Sequence, residues 1–355
     1  MATTFERKPA FDSQDHQQLI VKPNSGAHRF FRMSGPIMQI RFAEIVDHTD
    51  IPKILIHGNP HLANYCKTRR GAAMVDFDRS RIGPYAYDIA RFLISVSLSR
   101  AEQDKRLLHP IILDHFRRGY LHGFSADDKN FEEMRSLRIK EPKAWQCSTN
   151  GYLDAGKKWA NRLHSHKVKP SKKHKKMLLN YLENRDELEL LDRHQLKACA
   201  EVPGSMGKMH YLYLLQDRKN KRDAMLIDIK EVYEEQDNEW YHNPFEHHGI
   251  RMNKAGELYA PGWEQRPGHA TYKSEQFWAR QIPTQQVKLS QPLSDLDQCD
   301  LCYSVGTQLG RGHARAGDKA ARKAILRDFA RSYDTYVAVA NQMRLELLDA
   351  HEAYC

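Results

Sequence analysis

Two short segments carry side chains suited to hold a metal ion. HGNPHLAN (57–64) follows the apolar run KILI, and the acids of VDFD follow the apolar run GAAM. Asn64, Asp76 and Asp78 offer the amide and carboxylate oxygens that Mg²⁺ accepts in proteins. Each apolar run is predicted to be a short strand, so we expect the two loops to converge at one edge of a sheet. The pattern therefore predicts an Mg²⁺ site at Asn64, Asp76 and Asp78.

A glycine-rich turn, PGSMG, is the second candidate for chemistry. Gly204, Ser205 and Gly207 permit close backbone approach to a phosphate, and exposed N–H groups can then donate to its oxygens. A plain hairpin turn is the alternative. Apolar runs predict three strands in an antiparallel meander around it, at 196–202, 208–217 and 224–231.

A lysine at the end of the third strand makes the glycine turn more informative. Kinases place a phosphate-binding lysine in this layout of strand, glycine loop, strand, turn and strand. Lys230 is therefore predicted to bind nucleotide phosphates. Active kinases pair that lysine with a glutamate on a helix. We expect Glu246 to fill this role, with Glu257 as the other candidate.

Several blocks of the sequence resemble a known group. HGNPHLAN…VDFDRSRIGPYAYDIAR is similar to the HGDxHxxN…DFD…D-x-A-R pattern of aminoglycoside-phosphotransferase-like kinases. The chain more closely resembles the bacterial domain-of-unknown-function family 2252 (DUF2252), which belongs to that kinase-like group. Its other blocks match in order as PGSMGKMHYLYLLQ, LIDIKE, FWARQ and LGRGHARAGD, over roughly residues 28–345. The resemblance implies an ATP- and Mg²⁺-dependent phosphotransferase acting on an unidentified small-molecule or protein hydroxyl.

The order of these blocks is reversed relative to ordinary kinases, in which the glycine loop and lysine come first. A circular permutation would explain this order. The expected fold is α+β and two-lobed, protein-kinase-like and circularly permuted. Lys230 and Asp76 should then face one cleft, within roughly 10 Å. The expected parts are a loose leader (1–27), a helical catalytic-loop lobe (28–195), a small β lobe (196–290) and C-terminal helices that return to the helical lobe (291–355).

One residue departs from the family pattern. Asn59 stands where the resemblance places the catalytic aspartate, and an amide cannot take up a proton as a carboxylate can. Phosphoryl transfer depends mainly on positioning and charge stabilisation, so Asn59 stays the candidate catalytic-loop residue. Asp318 is the candidate for an alternative acid. Asp88, in YAYDIAR, is expected to anchor the catalytic loop.

Other functions remain open. They are AMP transfer by the same fold, as in selenoprotein-O-like proteins, a non-catalytic nucleotide-binding regulator, and a basic nucleic-acid-binding protein. The last would use the basic run at 157–176, which contributes much of the net charge of +10. That run lacks the regularly interleaved aromatic residues that base stacking requires, which disfavours nucleic acid as the partner.

Composition restricts the setting. The chain has 355 residues and six scattered cysteines, and none of its apolar runs reaches the 18 or so residues that a membrane span needs. The polar N-terminus has no apolar signal region, so we expect a cytoplasmic protein without a membrane partner. Cys299 and Cys302 form one CxxC pair without further ligands, which favours core packing over a zinc site.

Overall fold

The structure is a computed structural model of a mixed α/β protein, in which nearly all expected helices and strands form. It describes residues 26–47, 49–68, 71–98, 107–125, 148–204, 207–220, 223–284, 287–288 and 293–354. Residues 1–25 of the expected leader (1–27) and Ser205 lie outside these residues, whereas Ala27 is buried and begins a helix. Among the described helices, none is long and apolar enough to cross a membrane.

The N-terminal part builds helices around short antiparallel strand pairs. β1 pairs with β4, and β2 pairs with β3 and with the later strand at Val287–Lys288. The elements are α1 (Ala27–Met33), α2 (Gly35–Ile45), β1 (Lys53–Ile56), β2 (Tyr65–Thr68), β3 (Gly71–Met74), β4 (Arg81–Pro84), α3 (Ala86–Leu98) and α4 (Pro110–Ser125).

The middle of the chain builds one six-stranded antiparallel sheet in the order β5-β6-β7-β8-β10-β9. β7 and β8 are near-continuous apolar runs, and they form where the sequence predicts them because both faces of the sheet are covered there, with Tyr213 and Ile227 in one apolar cluster and Leu212 and Leu226 in another. The elements are α5 (Thr149–Asp154), α6 (Lys158–Ser165), β5 (Lys167–Val168), α7 (Lys172–Glu183), α8 (Leu190–Arg193), β6 (His194–Pro203), β7 (Met209–Asp217), β8 (Ala224–Glu231), α9 (His248–Tyr259), β9 (Gln265–Tyr272), β10 (Glu275–Gln281) and β11 (Val287–Lys288).

Two long helices close the described chain, α10 (Asp295–Ala316) and α11 (Lys319–Tyr354). α10 packs very closely on α4 because glycines face the contact. A Cβ atom at Gly119 would lie 2.1 Å from the carbonyl oxygen of Tyr303, and one at Gly310 would lie 2.2 Å from that of Tyr120. Both positions therefore exclude any side chain. This contact fixes where the C-terminal end of α10 lies.

The buried apolar side chains revise the expected division of the chain. One large cluster joins α1–α4, α10 and α11, and it also includes Tyr241, Tyr259 and Trp263, which were expected in the β lobe. A second cluster packs α7 against the sheet through Met177 and Tyr181, although α7 was expected in the helical lobe. The sequence shows that α7 is amphipathic, but only the fold shows what covers its apolar face.

Candidate functional site

A buried ion pair joins the two candidate segments. The ammonium of Lys230, in β8, contacts the carboxylate of Asp78, which follows β3, across 152 positions of sequence. The Lys230 and Asp78 side chains are only 12% and 7% exposed. The expectation that these segments meet in space is confirmed. The expected partner of the lysine is wrong, because Lys230 contacts Asp78 while Glu246 is exposed, and among the described residues Glu246 accepts a hydrogen bond from Gln276 through its backbone carbonyl.

Asp76, Asp78 and Lys230 shift one another's pKa values. Burial raises the pKa of Asp78, and the neighbouring charge of Asp76 raises it further, against the effect of Lys230. Burial would also raise the pKa of Asp76, but the charge of Lys230 and a hydrogen bond with Asp78 lower it below its usual value. Burial opposes the charged form of Lys230, yet the two carboxylates raise its pKa. One carboxylate is thus favoured as charged, and the other takes a proton more readily.

The backbone that presents Asp76 differs from the expected arrangement. Asn64 ends a short 3-10 turn, Leu62–Asn64, and precedes β2 rather than following β1 at a shared sheet edge. The pairing of β2 with β3 brings Val75 N to within 3.0 Å of the carbonyl oxygen of Asn64. The candidate ligands therefore converge through one hairpin. Asp76 itself has a φ of 75°, a left-handed conformation that non-glycine residues adopt mainly at strained or functional positions.

Asp88 anchors the loop that carries Asn59. Its carboxylate accepts from the backbone N–H groups of His57 (2.7 Å) and Gly58 (2.8 Å), as the sequence analysis expected. His313, at the end of α10, contacts the same carboxylate through Nε2 at 3.2 Å. Burial lowers the pKa of His57 to about 4, so this ring is neutral near pH 7. The anchor is entirely buried, which makes the loop position part of the core.

The side-chain amide oxygen of Asn59 is already hydrogen-bonded. Its Oδ1 accepts two hydrogen bonds from Arg91, from Nε at 3.2 Å and from Nη2 at 2.8 Å. Arg91 is fully buried and lies 3.7 Å from the centre of the Phe31 ring. Burial lowers the pKa of Arg91 to about 10, which leaves it charged near pH 7. The amide oxygen of Asn59 therefore serves a buried guanidinium.

Gly204 and Gly207, the described glycines of the turn, lie between the antiparallel strands β6 and β7. The N–H of Gly204 donates to the carbonyl oxygen of Lys208 at 2.8 Å, so this group is used within the turn. Gly207 has a φ of 76°, which explains a glycine there. Next to the turn, His210 Nδ1 bonds to both oxygens of Asp228, at 2.9 and 3.1 Å. Trp159, the aromatic residue of the 157–176 run, lies against the His210 ring at 5.0 Å.

Asp318 is not part of this group. It is exposed, and its carboxylate accepts from Ala321 N at 2.8 Å, so it caps the first turn of α11. We withdraw it as the alternative acid, because its bond belongs to the start of a surface helix. The block LGRGHARAGD, which contains Asp318, still contributes to the candidate site, because His313 contacts the carboxylate of Asp88.

Three arginines complete the surroundings and were missed by the sequence analysis. Arg251 donates to the backbone oxygens of Ser80 and Asp78, which fastens the turn after Asp78. Arg280 pairs with Glu264 and acts electrostatically on Asp76, as does Arg32. The alternation of side chains along the strand FWARQ could have identified Arg280. Trp278 lies opposite Lys230 in the sheet, and Arg280 is two residues further along the same strand. The Arg280 side chain therefore lies on the same face of the sheet as that of Lys230.

Two family models match this chain, and each covers one of the two segments that meet at the candidate site. A family model described as "Uncharacterized protein conserved in bacteria (DUF2252)" matches residues 132–355, more than half of the chain. The chain belongs to this family. A model described as "Phosphotransferase enzyme family" matches residues 7–137. In this DUF2252 protein the Lys230–Asp78 ion pair therefore joins the two matched regions.

The phosphotransferase match supports a kinase-like phosphotransferase in general for this DUF2252 protein. It includes Asn59, Asn64, Asp76 and Asp78, whereas the DUF2252 match includes Lys230. No curated protein and no solved structure gives a match to this chain.

Proposed function

We propose that this DUF2252 protein binds ATP with Mg²⁺ and transfers phosphate to a hydroxyl of an unidentified small molecule or protein. The Lys230–Asp78 ion pair carries the proposal, because the candidate phosphate-binding cation lies against one candidate metal-binding carboxylate, and the charge of Asp76 also acts on it. Phosphoryl transfer requires little beyond this, since positioning and charge neutralisation supply most of its catalysis.

The residues present fit Mg²⁺. Asp78 Oδ1 is buried, and no N–H group of the described residues donates to it, which is costly for a buried carboxylate oxygen unless a ligand satisfies it. Asp76 adds a carboxylate favoured in its charged form, and Asn64 lies on the adjoining turn. All three are hard oxygen donors of the kind that Mg²⁺ prefers. When bound, the ion would neutralise phosphate charge, while these residues hold its position.

The proposal includes the two-lobed, permuted arrangement. The sheet with α7 would form the small lobe, and the large apolar cluster would form the helical lobe. Lys230 extends from the sheet, and Asp78 follows a strand packed within the helical cluster. Lys230 would then exchange part of its contact with Asp78 for nucleotide phosphate oxygens. Arg280 and Arg32 add positive charge near Asp76.

A second candidate is a nucleotide-binding protein without transfer activity. The two bonds from Arg91 to Asn59 favour it, because an amide held in this way cannot accept the proton of an acceptor hydroxyl. Labelled ATP separates the two functions. Transfer of the γ-phosphate supports the first, and binding without transfer supports the second.

Asp76→Ala should abolish the Mg²⁺-dependent part of ATP binding. The change removes one of the two carboxylates beside Lys230, so Mg²⁺ no longer gains a second anionic ligand. Calorimetry of ATP binding with and without Mg²⁺ measures this. Asp349→Ala, at an exposed position on α11, is the matched control and should bind like the unsubstituted protein. Equal Mg²⁺ enhancement in Asp76→Ala would refute the metal assignment.

Asn59→Asp should change the rate of phosphate transfer by less than about tenfold, well below the 10²–10⁴ that a free general base contributes. An aspartate there would be ion-paired with Arg91, which makes it a poor base. The measurement is single-turnover transfer from γ-labelled ATP. A gain of a hundredfold or more, or transfer only in the substituted protein, would favour the non-catalytic function for the natural chain.

A further inference from the structure

Three side chains of metal-binding type lie close together in the six-stranded sheet, at the end opposite to Lys230. His194 begins β6, Asp217 ends β7 and Asp223 precedes β8, and one ligand atom from each lies within 4.8 Å of the others. Asp217 lies seven positions along β7 from His210, the strand partner of Lys230. At about 3.3 Å per residue this is roughly 23 Å, so the cluster is distinct from the nucleotide site.

His194 is set up to present one ring nitrogen to this corner. Its Nδ1 lies 3.1 Å from the carbonyl oxygen of Leu190, which can only accept, so Nδ1 carries the proton. The Nε2 lone pair is then the atom available to a ligand. The residue is only 5% exposed, and the geometry matches that of metal-ligating histidines, whose second nitrogen donates to a carbonyl.

The carboxylate of Asp217 is also held in place. Its Oδ1 accepts from the backbone N–H groups of Lys219 (2.7 Å) and Asn220 (2.8 Å). Its Oδ2 lies 3.9 Å from the guanidinium of Arg193, a side chain that is 73% exposed and reaches in from the surface. Asp223 is exposed, and its carbonyl oxygen accepts from Asp217 N. One ring nitrogen of His194 and one carboxylate oxygen of each aspartate thus lie within 4.8 Å of one another.

We propose that His194, Asp217 and Asp223 bind a divalent transition-metal ion, with Zn²⁺ as the class representative. One imidazole and two carboxylates suit Zn²⁺ better than Mg²⁺ or Ca²⁺, which prefer oxygen ligands alone. Three protein ligands leave the remaining coordination to water. The ion would tie the start of β6 to the β7–β8 turn and so stabilise this end of the sheet.

Titration of the reduced protein with Zn²⁺, in excess Mg²⁺ to occupy Asp76 and Asp78, tests the proposal. We expect one Zn²⁺ site that raises the melting temperature. Asp223→Asn, an exposed isosteric change that leaves folding intact, should weaken it by at least the roughly 10–100-fold known for outer-shell partners. His194→Gln should weaken it similarly. Asp349→Asn makes the same charge change elsewhere and should leave it unchanged.

Three results would overturn the proposal. They are no Zn²⁺ binding by the unsubstituted protein, unchanged affinity in Asp223→Asn, and an equal loss in Asp349→Asn. Because the readouts are Zn²⁺ affinity and melting temperature, the outcome does not depend on ATP binding or phosphate transfer.

Discussion

Lys230→Met should lower the free energy of unfolding by about 3–5 kcal/mol at neutral pH, because it leaves the buried carboxylate of Asp78 without its cation. ATP binding should weaken by a further 1–3 kcal/mol, the range for a charge-assisted hydrogen bond. Urea unfolding and calorimetry measure the two effects separately. Lys254→Met removes a surface pair with Glu257 and should change stability by no more than about 0.5 kcal/mol.

The stability deficit of Lys230→Met should shrink on acidification. Without the lysine, burial and Asp76 raise the pKa of Asp78 in the folded protein above its unfolded value. A raised folded pKa gives stability at low pH that is lost as the pH rises through it. Adding Asp78→Asn to Lys230→Met should likewise restore part of the stability at neutral pH. If Lys230→Met alone is as stable as the unsubstituted protein at every pH, the ion pair contributes nothing to the free energy of unfolding.

Asp88→Ala should also destabilise the protein by about 3–5 kcal/mol. It leaves two buried backbone N–H groups, those of His57 and Gly58, without their acceptor, and it removes the partner of His313 Nε2. Because the loop that carries Asn59 depends on this carboxylate, nucleotide-dependent activity should fall with it. Urea unfolding gives the energy, and hydrogen exchange at the amides of residues 57 and 58 shows where the loss occurs.

Asp88→Asn is the conservative comparison for this anchor. It keeps the shape and one acceptor oxygen, so its cost should be clearly smaller than that of Asp88→Ala. Exposed Asp349→Ala serves as the charge control and should leave stability nearly unchanged. If the amides of residues 57 and 58 exchange as slowly in Asp88→Ala as in the unsubstituted protein, Asp88 does not anchor the loop.

Local sequence was sufficient for most elements. The helical apolar period of residues 85–103 and of residues 109–124 predicts two helices, which form as α3 and α4, and the run AMLIDIKE is β8 as expected at 224–231. β9 was missed because its sequence, QRPGHATY, contains both proline and glycine and little apolar alternation. The affiliation of α7 with the sheet was also missed, since an amphipathic stripe does not specify which surface covers it.

The candidate site likewise has features that the sequence determined and features that only the tertiary structure decided. The sequence by itself determined that Asp76, Asp78 and Lys230 are groups of the right chemistry, because residue types and the ends of strands are local properties. Only the tertiary structure decided that Lys230 contacts Asp78 rather than Glu246, since that choice depends on how a strand from each segment packs. It also decided the state of Asn59. An arginine 32 positions away, buried by helix packing, supplies the bonds that occupy its amide oxygen.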